Sequence, residues 1–347
     1  MKNREISDEA PAISNSNLFI TCFRVLVRLI LNLNHFFIQR SVLKFLEIAL
    51  LLFKASKTLS YAAYLSRVNR YRLHYMFYLN KLDFNSILET KKAWANFVIN
   101  HSSSKPDVNN AKFYLDLINE EKNIHNKLVL KEIAIDETKE LKNTFYLQGP
   151  NVDHESLNLN QKGTLVLTKP PYQKLKGNAL LFLNSVFYNK NVENNFKLKS
   201  KLANEYLRIF VKDKNKILSH PFSNSKEPDM GHLGSPMGLG IVLLNLVEEY
   251  GNIVCKIEGF DFYTKKEAYS KNYQSLMKDN KNTLDQSELF LSIASHDPII
   301  DFLYVKKLIV ENNIQLLQST EFLKLISLEL RDFFLLFGSA HIHRNKT

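Results

Sequence analysis

The chain has 347 residues, 45% of them hydrophobic and 23% charged, which excludes a largely disordered or fibrous protein and leaves room for one large domain or two modest ones. Its formal net charge of +11 favours anionic partners: phosphate groups, nucleic acid or an acidic membrane surface. The only cysteines, Cys22 and Cys255, are too few and too far apart for a disulfide framework, so a reducing cytosol is the simpler setting.

Residues 1–17 read as a flexible, polar and acidic tail with no secretory pattern. Residues 18–140 read as a basic, amphipathic helical region. Its first run, LFITCFRVLVRLILNL, carries Arg24 and Arg28 four apart on one helical face. A second run, SVLKFLEIALLLF from Ser41 to Phe53, places Lys44 and Glu47 three apart. Residues 59–79 add Tyr61, Tyr64, Arg67, Arg70, Tyr71, Arg72, Tyr75 and Tyr78. Charges interrupt every apolar stretch, so none reaches the ~20 apolar residues of a membrane span. Residues 1–72 hold eleven Lys and Arg against four Asp and Glu. That mixture of cations, aromatic rings and apolar stripes suits the headgroup layer of a membrane surface. A helical domain with core-facing stripes is the plainer alternative. Residues 86–100 and 108–122 read as two further helices, and 123–140 as a charged connector.

Near Thr144 the pattern changes to short apolar runs ended by small or polar residues. NTFYLQGPN, GTLVLTKPPY and NALLFLNS read as strands, and residues 194–209 as a helix. IVLLNLVEEY is a predicted helix, NIVCKIEGFDFY a strand, FLYVKKLIVENN a helix and IQLLQS a last strand, with a C-terminal helix and tail over 326–347. Strands alternating with helices predict an α/β fold with a mostly parallel sheet over 141–325, whose ligands bind at the carboxyl ends of the strands.

The candidate residues gather at those ends. Gly149 and Pro150, with Gln148 and Asn151, form a turn in which backbone can approach phosphate or ribose closely. Lys169 and Asn184 follow the second and third strands. Gly234, Ser235, Gly238 and Gly240 lie in a glycine-rich turn opening a helix, a setting for nucleotide contact. The next strand ends in Gly259-Phe260-Asp261-Phe262-Tyr263, with Tyr269 six residues on; phenolic hydroxyls there can donate to an anion. His296 stands at a helix start beside Asp297 and Asp301, either of which could cap that helix, and is a candidate general base. Each feature alone is better explained by turns and packing.

Their order and spacing resemble the bacterial sialyltransferases of glycosyltransferase family 42, which transfer sialic acid from CMP-sialic acid. The resemblance covers about residues 143–318 and leaves the first 140 unmatched. It implies a Rossmann-like, GT-A-like core behind an N-terminal helical region. It also implies an inverting, metal-independent transfer without a cofactor, from a CMP-linked sugar to a glycan or glycolipid acceptor. By position, His296 is implied as the base, Tyr263 and Tyr269 as the pair on the leaving phosphate, and Asn184 as the donor-site asparagine. Gly149 and Pro150 match the family's GNGPS-like turn. Gln148, Asn151, Lys169, Ser235, Gly238 and Asp261 complete the nucleotide-sugar set. Gln148 and Lys169 both stand where the family has asparagine, and Gly234 falls where it has arginine. The implied location is cytoplasmic, peripheral at the inner face of the cytoplasmic membrane, with homo-oligomerisation left open. Two other readings remain: a pyrophosphokinase-like or motility-associated sugar transferase relative on a related fold, and a non-catalytic membrane scaffold. No nucleic-acid-binding motif accompanies the positive charge, so nucleic acid is not an expected partner.

Overall fold

The computed structural model describes parts of 22–33, then 35–52, 57–103, 105–128, 132–133, 143–149, 164–167, 179–183, 207–211, 238–262, 264, 297–317 and 320–342. The chain divides into two compact units, 1–73 and 74–347.

The first unit is helical: residues 22–30 where described, α1 (Phe36–Leu52) and most of α2 (Lys57–Asn80). Within it Leu43 is fully buried, and the Ser66 hydroxyl donates to the Leu43 carbonyl at 2.8 Å. Glu47 pairs with Arg70 and lies 3.8 Å from Arg67. Val27, Leu43, Leu65 and Val68 are buried in this unit, but one face of α1 is not. Phe37, Ile38, Val42, Phe45, Ile48 and Leu52 of α1 are all exposed and recur at helical spacing along one face. No helix among the described residues is long and apolar enough to cross a membrane.

The division falls inside α2. The second unit therefore takes in α3 (Phe84–His101), α4 (Lys105–Asn119) and α5 (Glu121–Lys127) along with the sheet, whereas the sequence pattern set the boundary at 140/141.

Among the described residues the sheet has seven strands, every pair parallel. These are β1 (Glu132–Ile133), β2 (Thr144–Gln148), β3 (Thr164–Leu167), β4 (Ala179–Leu183), β5 (Leu207–Val211), β6 (Val254–Glu258) and β7 (Gln315–Leu317). Their order is β1-β7-β6-β2-β3-β4-β5, so the expected α/β class with a parallel sheet holds. Two strands differ from expectation. β1 lies in the stretch read as a charged connector, and β5 takes residues 207–209 from the stretch read as helical. β2 is buried along its whole length, as a parallel strand covered on both faces should be.

α6 (Gly238–Tyr250) precedes β6 and ends at Gly251, whose φ of +71° and amide bond to the Val247 carbonyl (2.8 Å) stop the helix. α7 (Pro298–Glu311) is buried on nearly all sides and packs against α4, α5 and α6. It also packs against α9 (Leu330–Ile342), which follows α8 (Thr320–Ile326). Most of its residues are buried, the charged Asp301 and Lys306 among them, and only its last turn reaches solvent, at Glu311.

Candidate functional site

From β2 the chain steps outward through β3 and β4 to β5, then returns to the other side of β2 as β6 and continues to β7. The direction of winding reverses between β2 and β6. In open parallel sheets such a reversal leaves a crevice at the carboxyl ends of the two strands, because the connections leave in opposite directions.

Two glycines meet at that point. The Gly149 amide, directly after β2, donates to the Glu258 carbonyl at 2.8 Å. A Cβ built on Gly149 would lie 2.2 Å from the carbonyl oxygen of Gly259 and 2.6 Å from its carbon. No side chain fits at position 149, where the Gly259 backbone closes in from one side and the Phe260 ring lies 3.1 Å from the same point. Gly259 has a φ of +71°, which turns the chain sharply out of β6. Beside them Gln148 is buried, and among the described residues its Oε1 accepts no hydrogen bond, which leaves an acceptor to be satisfied at the strand end.

The loop after β6 is fixed at Phe262. Its φ of +47° is uncommon for a bulky residue. The ring compensates by packing edge-on to Phe302 (5.8 Å) and Phe333 (5.9 Å) and stacking near Phe322 (6.5 Å). The Asp261 carbonyl accepts both the amide and the hydroxyl of Thr264, at 2.9 and 2.6 Å, closing a tight turn. Asp261 itself is buried.

Of the residues singled out in the sequence, Gln148 ends β2 opposite Glu258 of β6 and Gly149 follows it; Asp261 lies in the turn after β6, and Gly238 is the first residue of α6. Pro150, Asn151, Lys169, Asn184, Ser235, Tyr263, Tyr269 and His296 lie outside the described residues. Lys169 follows β3, Asn184 follows β4 and Tyr263 follows Phe262 in the chain.

His296 precedes Asp297, which caps α7. The Asp297 carboxylate accepts the amides of Ile299 (3.0 Å) and Ile300 (3.4 Å), with Pro298 opening the helix. Residues that the sequence did not mark as part of this site surround the cap. Lys91 of α3 forms an ion pair with the carboxylate, both side chains being almost fully buried. The Tyr75 hydroxyl donates to it at 3.4 Å. The Lys91 ammonium in turn sits among three rings, 4.8 Å from Trp94 and 5.5 Å from each of Tyr75 and Tyr114, where cation–π attraction replaces part of its lost hydration. Burial pushes the Tyr75 hydroxyl well above its ordinary pKa, and the Asp297 charge adds to that; Tyr114 is raised likewise, by burial and then by Asp301 and Asp297. Both phenols thus stay protonated as donors. Of this cluster only the capping role was legible, in the Asp-Pro start of an apolar run.

Among the described residues, no three His, Cys, Asp or Glu side chains are grouped to hold a metal ion. No protein-family model matches the chain, and no match to it is found among curated proteins or solved structures.

Proposed function

We propose that this protein is a glycosyltransferase that moves sialic acid, or a related acidic sugar, from a CMP-linked donor to a hydroxyl of a glycan or glycolipid. The proposal takes the sheet as a Rossmann-like core of the GT-A kind. The observation that carries it is the bare-backbone contact of Gly149 with the Gly259 carbonyl at the winding reversal between β2 and β6. Two elements of the sialyltransferase resemblance, the Gly-Pro turn and the GFDFY loop, directly follow these two strands in the chain. A nucleotide laid across such a crevice would meet the chain where Gly149 passes closest to Gly259, an approach that a β-carbon at 149 would block.

In this reading His296 takes the proton from the acceptor hydroxyl as the new glycosidic bond forms with inversion. The CMP phosphate leaves with the electrons of the broken bond, and the hydroxyls of Tyr263 and Tyr269 donate to it. General-base assistance of this kind contributes ~10²–10⁴-fold. Preorganised donors at the developing charge contribute ~10²–10³-fold each. Phenols suit that task without a metal, since they donate to the phosphate and need no proton balance of their own.

The reading also places the protein at the surface of a membrane rich in acidic lipids. All but one of the exposed large hydrophobic side chains among the described residues fall between Val25 and Tyr61. Arg40 and Lys44, both exposed, border the apolar face of α1. Apolar burial and cationic attraction to acidic headgroups add on such a helix.

A thermal-shift series with CMP, UDP and GDP tests the donor. A ligand that binds only the folded state raises the melting temperature, so CMP should give the largest rise. Equal rises with all three nucleotides, or none with CMP, would contradict the proposal.

A further inference from the structure

The Lys91–Asp297 pair is costly to build. Both charges are withdrawn from water, to 2% and 1% side-chain exposure, and buried pairs seldom repay that cost as stability alone. A neutral Asn or Ser would cap α7 equally well. The cap therefore carries a charge that the helix does not require, and that charge is met from α3, in the region the family resemblance does not reach. The partners sit on three separate elements: Tyr75 near the end of α2, Lys91 in α3 and Asp297 at the start of α7. Asp301 and Tyr114 complete the titratable surroundings.

We propose that Lys91 is a positioning residue for the transfer reaction: its ion pair with Asp297 fixes where the backbone enters α7, and so where the adjoining His296 is held. The inference rests on the glycosyltransferase reading and deepens it, because it makes helices α3 and α4 part of the catalytic unit. Lys91 touches neither donor nor acceptor in this account. It acts through a carboxylate whose two amide bonds and one phenol bond leave the backbone at 297 little freedom.

The decisive experiment measures kcat and the donor KM separately, with melting temperature on the same samples. Lys91→Met leaves Asp297 buried without its counter-charge, and kcat should fall at least ~10-fold, since small displacements of a catalytic group are magnified in the rate. The donor KM should stay within about twofold, because the crevice between β2 and β6 is untouched. Lys91→Gln drops the charge and keeps a donor for the carboxylate, so it folds more readily, and its kcat should lie between. Adding Asp297→Asn to Lys91→Met removes the orphaned charge and keeps the cap, so kcat should recover above that of Lys91→Met alone. A folded Lys91→Met or Lys91→Gln protein with wild-type kcat overturns the inference and leaves the transferase reading standing. So does a KM that rises in step with the loss of kcat. A wild-type protein that transfers nothing from any CMP-linked donor overturns both.

Discussion

Gly149 lies so close to Gly259 that a single added methyl group would fall 2.2 Å from the Gly259 carbonyl oxygen. The neighbour is backbone, held by the bond from the Gly149 amide to the Glu258 carbonyl, and cannot rotate away as a side chain would. Gly149→Ala should thus force β2 and β6 apart at their carboxyl ends. We expect a loss of about 3 kcal/mol or more, at the upper end of overpacking effects, and no melting-temperature rise on adding CMP. Gly251→Ala is the control. A Cβ there meets nothing within 4 Å, and only its φ of +71° is strained, which costs about 1 kcal/mol. Nucleotide binding should survive it. Equal destabilisation by the two substitutions would contradict the account of the crevice.

Lys306 gives the stability a pH dependence of known sign. Its side chain donates to His125 Nδ1 at 3.1 Å and to the Leu328 carbonyl, and lies 4.6 Å from the Phe302 ring. Burial lowers its pKa from 10.5 to about 8, although Glu121 and Glu329 pull it upward. Between about pH 8 and 10.5 the unfolded chain holds this proton and the folded chain has released it. Stability from this group therefore rises with pH across that window and is constant below it. Compared with Lys306→Met, the wild-type protein should gain melting temperature between pH 8 and pH 10. A difference that stays flat over that range would refute the assignment.

The apolar face of α1 predicts where the protein resides. Full-length protein should bind vesicles containing phosphatidylserine and be released by salt, because the cationic part of the attraction is screened. Phe45→Asp combined with Leu52→Asp should weaken that binding by ~100-fold or more, given ~1.5–3 kcal/mol for each large side chain kept out of the lipid. Removing residues 1–58 should release the protein into solution with nucleotide binding intact. If full-length protein ignores anionic vesicles and the truncated chain is insoluble, the segment is part of a folded core instead.

Much of the sheet was legible because its strands are short apolar runs cut off by Gly, Pro or Asn. That signal located β2, β3, β4, β6 and β7, and the Asp-Pro start of α7. It failed for β1, whose two residues, Glu132 and Ile133, are too few to show any alternation. It failed for β5 because LRIFV follows a run with helical spacing, and the pairing that makes it a strand comes from β4. The tight approach of Gly149 to Gly259 could be suspected from glycines at two strand ends, but that these strands are neighbours depends on a winding order no local pattern encodes. Lys91 gave no signal. It stands beside Lys92 in a predicted helix, and the carboxylate and the rings that surround it come from elements far apart in the sequence, which no local pattern joins. The exposed face of α1 was readable as amphipathic, though not as to which side water would see.

The two tyrosines and the histidine should separate by their kinetic effects. Tyr263→Phe and Tyr269→Phe remove hydroxyls assigned to the departing phosphate. Each should lower kcat by ~10²-fold or more and raise the donor KM, because the same oxygens are contacted before and during departure. Either variant at wild-type kcat would remove that tyrosine from the proposed site.

The most direct measurement is the initial rate of sugar transfer from a CMP-linked sialic acid donor by wild-type protein and by His296→Ala, per folded molecule, with CMP affinity measured alongside. A base acts on the acceptor hydroxyl and contributes chiefly in the transition state. The account therefore predicts measurable turnover by the wild type, a loss of ~10²–10⁴-fold in His296→Ala, and CMP affinity nearly unchanged. A wild-type protein without transfer, or a folded His296→Ala protein with near-normal turnover, would contradict it.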